Sequence, residues 1–316
     1  MSSQVRDAAP PAQLAGPPGP RATRDESVPA LPLALTLTIL ALTYWCVDTV
    51  SPALPVMRDD LRLSATGAGL VVSFFFGGRL VANLPAAMLV TRSGPRWTAS
   101  IGAIALLAGS VLVGMSAGER LLLPARALQG TGVALLATAG LLSVLRALPG
   151  GGSAMTAFNV ASGVGSSGGL LVGGILTSTV GWRAVFWLSA GIAGMLCVGA
   201  LSARPIRGTR QPAPNAAPPE KAPATRGLGA SEATACVANF LVYGNYAIWV
   251  LALPLYAAGR YGATAEQIGF LLMIINAIHL LAALPALPII RRAGAPVALG
   301  LGFAMTAVGL ALALAM

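Results

Sequence analysis

The amino-acid sequence predicts an all-α integral membrane protein, and three observations lead to this prediction. Hydrophobic residues make up 56% of the 316-residue chain and charged residues only 9%, whereas a soluble domain usually carries about a quarter charged residues. The apolar segments run unbroken for about 18 residues or more, the length of a membrane-crossing helix. The 38 glycines suit helices that pack closely in lipid. Together these features exclude a soluble globule and a β-barrel of short alternating strands.

Nine apolar windows are predicted to cross the membrane. They cover residues 31–56, 66–90, 97–116, 121–145, 154–178, 184–203, 230–257, 265–290 and 297–316. Residues 1–30 contain six prolines and no apolar run, so they predict a disordered cytoplasmic tail and no cleavable signal peptide. The connection after the sixth window is rich in Pro and Arg, cannot span lipid, and is predicted to be a linker.

The charges orient these windows. The net charge is +10, and most Lys and Arg residues of the connections fall on the side that carries the N-terminus. This asymmetry places the N-terminus in the cytoplasm, and it explains the positive charge without a nucleic-acid partner. The predicted organisation is a tail over 1–30, a six-helix bundle over 31–203, a linker over 204–229 and a partial three-helix bundle over 230–316.

An internal repeat relates the two predicted bundles. LPAAMLVTRSG at 84–94 aligns with LPALPIIRRAG at 284–294, and ALP at 53–55 aligns with ALP at 252–254. Windows 1 to 3 therefore correspond to windows 7 to 9. Because six windows separate the two copies, both copies have the same orientation, which is a parallel repeat.

The second copy is expected to be incomplete, because no helices corresponding to windows 4 to 6 follow it. An open flank would expose polar side chains of windows 7 and 8 to lipid, which costs free energy. We expect such a chain to self-associate or to recruit a complementing segment, and to show no transport as a monomer. The exposed side chains would be Asn239, Tyr243, Asn276 and His279.

Four short motifs occur in order along the predicted first bundle. The loop after window 2 contains Leu89, Arg92, Gly94 and Arg96, with Thr91 beside them. Window 4 contains R-x-x-Q-G-x-G at 126–132, window 5 contains G-L-x-x-G-G at 169–174, and window 6 begins G-W-R-x-x-F at 181–186. In this order the motifs resemble those of the major facilitator superfamily, and of its bacterial drug:proton antiporters in particular. Thr91 stands where the family has Asp.

The resemblance implies a fold and a function. The fold would be major-facilitator-like, with a six-helix N-terminal bundle and an incomplete three-helix C-terminal bundle. The chain would be a secondary active transporter of a bacterial inner membrane that exports a drug or small metabolite in exchange for protons by alternating access. Its partners would be the lipid bilayer, a small-molecule substrate and protons. The alternatives are an uptake symporter of the same fold and a truncated remnant that transports nothing.

The sequence predicts no enzyme, no cofactor and no metal site. Its single histidine cannot form a His-based metal site. The chain also lacks the paired carboxylates, nucleophile elbow and phosphate-binding loop on which the common enzyme classes depend.

Asp48 and Arg79 are predicted to couple transport to protons, because ionisable groups inside a span are costly and usually face a partner or a water-filled cavity. At a rise of about 1.5 Å per residue, they lie at similar depths in windows 1 and 2, within reach of each other. Asp48 is the one carboxylate deep in any predicted window. The alternative is a structural ion pair between the two helices.

Further polar residues of the windows are predicted to face the substrate cavity. Asn83 follows Arg79 by one helical turn on the same face. Arg126 lies near the outer end of window 4, where its side chain could instead extend to the membrane surface. For the Tyr and Asn residues the alternative is hydrogen bonding between helices, and for the histidine it is a structural role. The complete set is Asn83, Arg126, Gln129, Asn239, Tyr243, Tyr246, Asn276 and His279.

Glycines form one face of window 5. Gly165, Gly169 and Gly173 repeat every four residues, and Gly174 follows them. Small residues at this spacing let another helix approach closely. The resemblance to antiporters additionally implies a seal that limits leak in exporters, and this is the main reason for predicting efflux.

Overall fold

The computed structural model describes residues 30–148, 151–202, 237, 246, 249–283, 289 and 292–315. Within these ranges it contains helices and connecting turns but no strand, which confirms the all-α prediction. In chain order the helices are α1 (Ala30–Asp48), α2 (Leu54–Asp60), α3 (Ala65–Gly114), α4 (Glu119–Ala147), α5 (Gly151–Thr179), α6 (Trp182–Ser202), α7 (249–261), α8 (Ala265–Ala283) and α9 (Ala295–Ala315).

Four of these helices, α3 to α6, are long and apolar enough to cross a bilayer, and α1, α8 and α9 contain shorter apolar stretches. The bounds of α4, α5 and α6 lie within a few residues of predicted windows 4 to 6. The division of the chain into a six-helix and a three-helix bundle stays a prediction. Asn239 and Tyr243 lie outside the described residues.

The first predicted window, 31–56, is not one helix. α1 ends at Asp48, and in the turn that follows the Ser51 N–H donates to the Asp48 carbonyl at 3.1 Å before α2 begins at Leu54. Pro52 explains the break, because a helical proline lacks an N–H and its ring clashes with the carbonyl four residues earlier, here that of Asp48. The window missed this break because the segment stays apolar through it.

α3 is two helices joined at a sharp kink. Gly94 has a φ of +82°, a left-handed backbone conformation that favours glycine. Pro95 then occupies the first position of the next helix, where its missing N–H costs nothing. The two parts, α3a (65–93) and α3b (95–114), match predicted windows 2 and 3.

The helices before the linker share an apolar core. α3 packs against α4 and α6, and α1 packs against α4 and α5. At the α3b–α4 crossing the backbones touch, since a Cβ on Gly132 would lie 2.5 Å from the Leu106 nitrogen. Around this crossing Leu106, Val133, Leu136 and Ala193 form a buried cluster. This tight packing fixes the helices that carry the polar residues described below.

α5 also joins the residues before the linker to those after it. It packs along α8, where a Cβ on Gly269 would lie 2.5 Å from the Leu170 carbonyl oxygen. Asn276 Nδ2 donates to the Gly163 carbonyl at 3.0 Å and to Ser167 Oγ at 2.8 Å. The expectation that Asn276 faces lipid is therefore wrong, because its amide is satisfied by α5. We call this contact the α5–α8 seam.

Candidate functional site

Asp48 is the buried acidic side chain of the described residues, with 2% of its surface exposed. Its two carboxylate oxygens accept hydrogen bonds from different helices. Ser166 Oγ of α5 donates to Oδ2, and Tyr246 Oη donates to Oδ1. Because Tyr246 lies 198 residues further along the chain, this carboxylate joins the part before the linker to the part after it.

The glycine face of α5 brings Ser166 to Asp48. A Cβ on Gly165 would overlap the Ala41 carbonyl, and one on Gly169 would lie 2.5 Å from the Trp45 carbonyl oxygen. A Cβ on Gly173 would likewise lie 2.5 Å from the Thr49 carbonyl oxygen. α1 is thus the helix that approaches this face, and any side chain there would push the two backbones apart.

Gly174 serves a different contact from the other three glycines. A Cβ at this position would lie 2.6 Å from the Ala265 carbonyl oxygen of α8. The motif of window 5 therefore packs against two helices at once, with one face on α1 and the other in the α5–α8 seam.

Arg79 does not pair with Asp48. Its Nη2 donates to Tyr44 Oη at 3.0 Å, and its guanidinium lies 5.5 Å from the centre of the Tyr44 ring. Tyr44 precedes Asp48 by one helical turn, so the phenol holds the arginine before it reaches the carboxylate. The predicted Asp48–Arg79 pair is therefore corrected. Among the described residues, the ion pair is the one between Arg183 and Asp60.

Arg126 is 2% exposed, so the alternative in which its side chain extends to the membrane surface is wrong. Its Nε donates to the Val71 carbonyl at 3.3 Å and its Nη1 to Gln129 Oε1 at 2.7 Å. Gln129 Nε2 in turn donates to Ser110 Oγ at 2.9 Å. The guanidinium also lies 4.5 Å from the centre of the Phe75 ring, a favourable cation–π distance. Together these groups form a buried polar network between α3 and α4.

A small cavity connects Asp48 to Arg126. Its free space is about 10 Å³, close to what one water molecule requires. Ser51 Oγ, which also lines this cavity, is buried without a hydrogen-bond partner among the described residues. The remaining lining is apolar and consists of Val47, Val50, Leu54, Val72, Phe75, Phe76 and Val250. Sequence reasoning did not predict that Asp48 and Arg126 line one cavity, because Arg126 is 78 positions away along the chain and nothing local relates the two.

A larger groove of about 740 Å³ lies between α1 and α5, in the half of the helices that is predicted to face the cytoplasm. Its lining contains three hydroxyl groups and no charged side chain. Sequence reasoning missed this groove, although small and hydroxyl side chains recur every three or four residues along α5. The lining residues are Leu37, Thr38, Ala41, Ser153, Thr156, Ala157, Val160, Ala161 and Val164.

Two other predicted cavity residues do not meet the site. Asn83 and His279 are both exposed on the surface of their helices. Asn276 lies in the α5–α8 seam, where it forms hydrogen bonds between two helices and does not face a cavity. Of the predicted residues after the linker, Tyr246 is the one that the structure brings to Asp48.

The motif loop between α3a and α3b has a structural connection to α6. Arg96 Nη2 donates to the Leu201 carbonyl near the end of that helix, and Gly94 forms the kink. Leu89 is half-buried, and Arg92 is exposed. Thr91 Oγ1 donates to the Met88 carbonyl of its own helix at 2.8 Å, so it makes a local contact where the family has a charged residue.

A clasp at the opposite end holds α2 to α6. Trp182 Nε1 and Arg183 Nη1 both donate to Asp60 Oδ2 at 2.8 Å, and the guanidinium of Arg183 lies 4.3 Å from the Trp182 ring centre. The hydrogen bonds from Trp182 and Arg183 lower the pKa of the Asp60 carboxyl. Sequence reasoning found the Trp and Arg as parts of a motif but not their partner.

Comparison with known proteins adds the family. The model of the Major Facilitator Superfamily matches residues 36–316. Puromycin resistance protein pur8 of Streptomyces alboniger is 33% identical over 156 residues, which are 48% of this chain and 30% of that protein. Multidrug resistance protein Stp of Mycobacterium tuberculosis is 29% identical over 162 residues, 50% of this chain and 30% of that protein. The matched stretch thus spans less than a third of these relatives.

A third relative and a solved structure agree with this result. The tetracenomycin C resistance and export protein of Streptomyces glaucescens is 28% identical over 162 residues, 50% of this chain and 29% of that protein. The crystal structure of a D-xylose–proton symporter superposes with a TM-score of 0.57 at 15% identity, over 83% of this chain and 69% of that one. At this identity the likeness establishes the fold alone.

Proposed function

We infer the function from one premise: the chain belongs to the Major Facilitator Superfamily. Members of this family are transporters and not enzymes, so the chain is a membrane transporter with a small-molecule substrate. We propose that it is a secondary active exporter, which moves a drug or small metabolite out of a bacterial cell in exchange for protons. We further propose that it works by alternating access in the inner membrane, with its N-terminus in the cytoplasm.

The observation that carries proton coupling is the position of Asp48. This carboxylate is buried among helices and is hydrogen-bonded by both parts of the chain, through Ser166 and Tyr246. A proton that binds there removes a charge from the contact between the two parts. Its arrival or departure can therefore change their relative stability in the two orientations, which is what an alternating-access transporter requires.

The direction of transport is supported by the relatives. One relative is named as a puromycin resistance protein, and another as a tetracenomycin C resistance and export protein. The uncharged groove below Asp48 is also suited to an apolar compound. We therefore favour export, with uptake by the same fold as the alternative that the experiment must exclude.

The test compares Asp48→Asn with Asp59→Asn, which removes an exposed carboxylate of α2, in everted membrane vesicles with an acidic interior. The probes are puromycin, tetracenomycin C and ethidium. We expect the parent chain and Asp59→Asn to accumulate at least one probe, and Asp48→Asn to accumulate none although its membrane level is unchanged. Normal accumulation by Asp48→Asn would exclude this residue as the proton site. Failure of the parent chain with all three probes would count against export.

A further inference from the structure

We propose that the hydrogen bond between Asp48 and Tyr246 is a lock that prevents the unloaded transporter from reorienting. In this role Tyr246 is a positioning residue, because it acts through Asp48. The inference rests on the proposed function, in which Asp48 carries the proton. It adds a specific gate to that function: the ionised carboxylate holds the two parts of the chain together beside α1, and either a proton or a substrate must release it.

The Asp48–Tyr246 contact and the α5–α8 seam are two separate places where the two parts of the chain meet, and we take the seam to be the one that stays closed. The α5–α8 seam holds the two parts together along its length through close backbones and the neutral hydrogen bonds of Asn276. Beside α1 the parts meet through Tyr246 and through apolar side chains of α7, where Leu251 and Leu255 pack against the cluster around Leu54. Apolar contacts do not respond to protons. Asp48–Tyr246 is thus the contact beside α1, among the described residues, whose strength depends on ionisation.

The chemistry of the carboxyl decides which bond yields. An ionised Asp48 accepts from Ser166 and Tyr246 at once, and bonds to a charged acceptor are roughly twice as strong as neutral ones. Protonation turns one oxygen into a donor and removes the charge, so both contacts weaken or reverse. Ser166 cannot retreat, because the glycines beside it hold the α5 backbone against α1. Among the described residues, no comparable close backbone contact holds Tyr246 against α1, so its bond is the one that opens.

Two cations face Asp48 but do not replace Tyr246. Arg79 of α3 is bonded to Tyr44, and Arg126 of α4 is bonded to Gln129 and to a backbone carbonyl. Among the described residues, neither cation forms an ion pair with the Asp48 carboxylate. The described lining of the shared cavity holds no charged side chain besides Asp48 and Arg126. A proton at this site therefore acts on the hydroxyl contacts and not on an ion pair.

The groove explains how a substrate would reach the lock. Ala41 in the groove lining and Asp48 are seven residues apart on α1, which places them two helical turns apart on one face. A substrate that fills the groove between α1 and α5 therefore approaches the Asp48–Tyr246 contact from the side that is predicted to face the cytoplasm. The lock then opens for a loaded or a protonated carrier and stays closed for an empty, ionised one.

The transport test compares Tyr246→Phe with Tyr261→Phe, which removes the hydroxyl of an exposed tyrosine on α7. We expect Tyr246→Phe to lose gradient-driven accumulation by about tenfold, the equilibrium factor that a hydrogen bond to a charged group carries, while downhill flux persists. Tyr261→Phe should keep both. A structural defect would lower gradient-driven accumulation and downhill flux together, whereas loss of the lock should lower accumulation alone.

The second test measures the opening itself and needs no transport. Ser51→Cys, in a chain whose three natural cysteines are replaced by Ser, reports access to the cavity from the outside through labelling with a membrane-impermeant maleimide. We expect slow labelling at neutral pH and faster labelling at acidic pH. Adding Tyr246→Phe should make labelling about tenfold faster at neutral pH and remove its pH dependence.

The outcomes separate the lock from the proposed function. If Tyr246→Phe labels as slowly and as pH-dependently as the parent, the lock is wrong even where Asp48→Asn abolishes coupling. If Asp48→Asn transports normally, Asp48 is excluded as the proton site, and the labelling of Tyr246→Phe then decides whether this contact closes the cavity. If Tyr246→Phe fails to insert into the membrane, Asp48→Asn tests the same point. We expect it also to label faster at neutral pH and without pH dependence, because the amide of asparagine carries no charge.

Discussion

At the scale of single residues, the charged groups within the helices are held by neutral partners. Asp48 accepts from two hydroxyls, Arg79 donates to a phenol, and Arg126 donates to an amide and a carbonyl. The ion pair of the described residues, Arg183 with Asp60, lies at the exposed end of the bundle. Neutral partners can change their hydrogen bonds when a proton or substrate arrives, without leaving a buried counter-ion unpaired.

The Arg126 network predicts a large effect of truncation. Arg126→Ala removes the donor to Gln129 Oε1 and to the Val71 carbonyl, and the unfilled acceptors should destabilise the protein by roughly 1–3 kcal/mol. Thermal unfolding in detergent measures the loss. Arg126→Lys keeps the charge but not the planar fork of donors, so it should recover only part of the stability.

Arg120→Ala is the matched control, because this arginine is exposed at the start of the same helix. We expect its effect to stay within about 0.5 kcal/mol. Equal stability of Arg126→Ala and Arg120→Ala would show that the network contributes nothing to the fold.

The clasp at Asp60 predicts a pH dependence of stability. The pKa of Asp60 is lower in the folded protein, so its contribution is present above the ordinary Asp pKa of about 3.9 and is lost as the pH falls through the folded-state value. Asp60→Asn should therefore unfold at a lower temperature than the parent at neutral pH, and at the same temperature in strong acid. Asp59→Asn should show no such difference at either pH. A difference for Asp60→Asn that persists in acid would contradict the assignment.

At the scale of the elements, two features of α1 and α5 build the site. Pro52 ends α1 at Asp48, and the glycine face of α5 lets α1 approach until Ser166 reaches the carboxylate. The glycines were predicted from the sequence as a helix-packing face, whereas the break at Pro52 was not predicted. Their joint consequence, a carboxylate at the end of one helix against a hydroxyl of another, depends on how the two helices cross.

The glycine face predicts opposite effects for the same substitution on two helices. Gly169→Ala would place a Cβ 2.5 Å from the Trp45 carbonyl oxygen, and such overpacking should destabilise the protein by about 1–3 kcal/mol. A Cβ on Gly191 of α6 would meet nothing within 4 Å. Gly191→Ala should therefore be neutral or stabilise by up to about 1 kcal/mol, because alanine favours the helix. Thermal unfolding of the two variants checks the sign, and equal effects would refute the close crossing.

At the scale of the whole molecule, the distribution of basic residues predicts the topology. The N-terminus, the linker over 204–229 and the connection at Arg291 and Arg292 should lie in the cytoplasm, and Met316 should lie outside. Reporter fusions after residues 118, 210 and 316 should read outside, inside and outside. An inside reading at 316 would show that the number of spans is wrong by one.

Much of the fold could be predicted from the sequence, because its signals are local. Apolar length marks each helix, Gly94 and Pro95 mark the kink in α3, and the order of the motifs identifies the family. The break after Asp48 was missed, since hydropathy averages over a proline that leaves the segment apolar. The candidate site was predicted less well. Asp48 and Tyr246 were found as polar residues inside windows, but not as partners.

The sequence by itself determined that this chain is a helical membrane protein with the motifs of the major facilitator superfamily, and it located the ends of several helices and the polar side chains within them. The tertiary structure decided which of those side chains meet. Asp48 finds Ser166 at 118 positions and Tyr246 at 198 positions along the chain, while Arg79 is held by Tyr44. Composition and periodicity describe each helix separately. The rotation and crossing of packed helices determine which polar faces share a cavity, and those follow from the fit of all their side chains together.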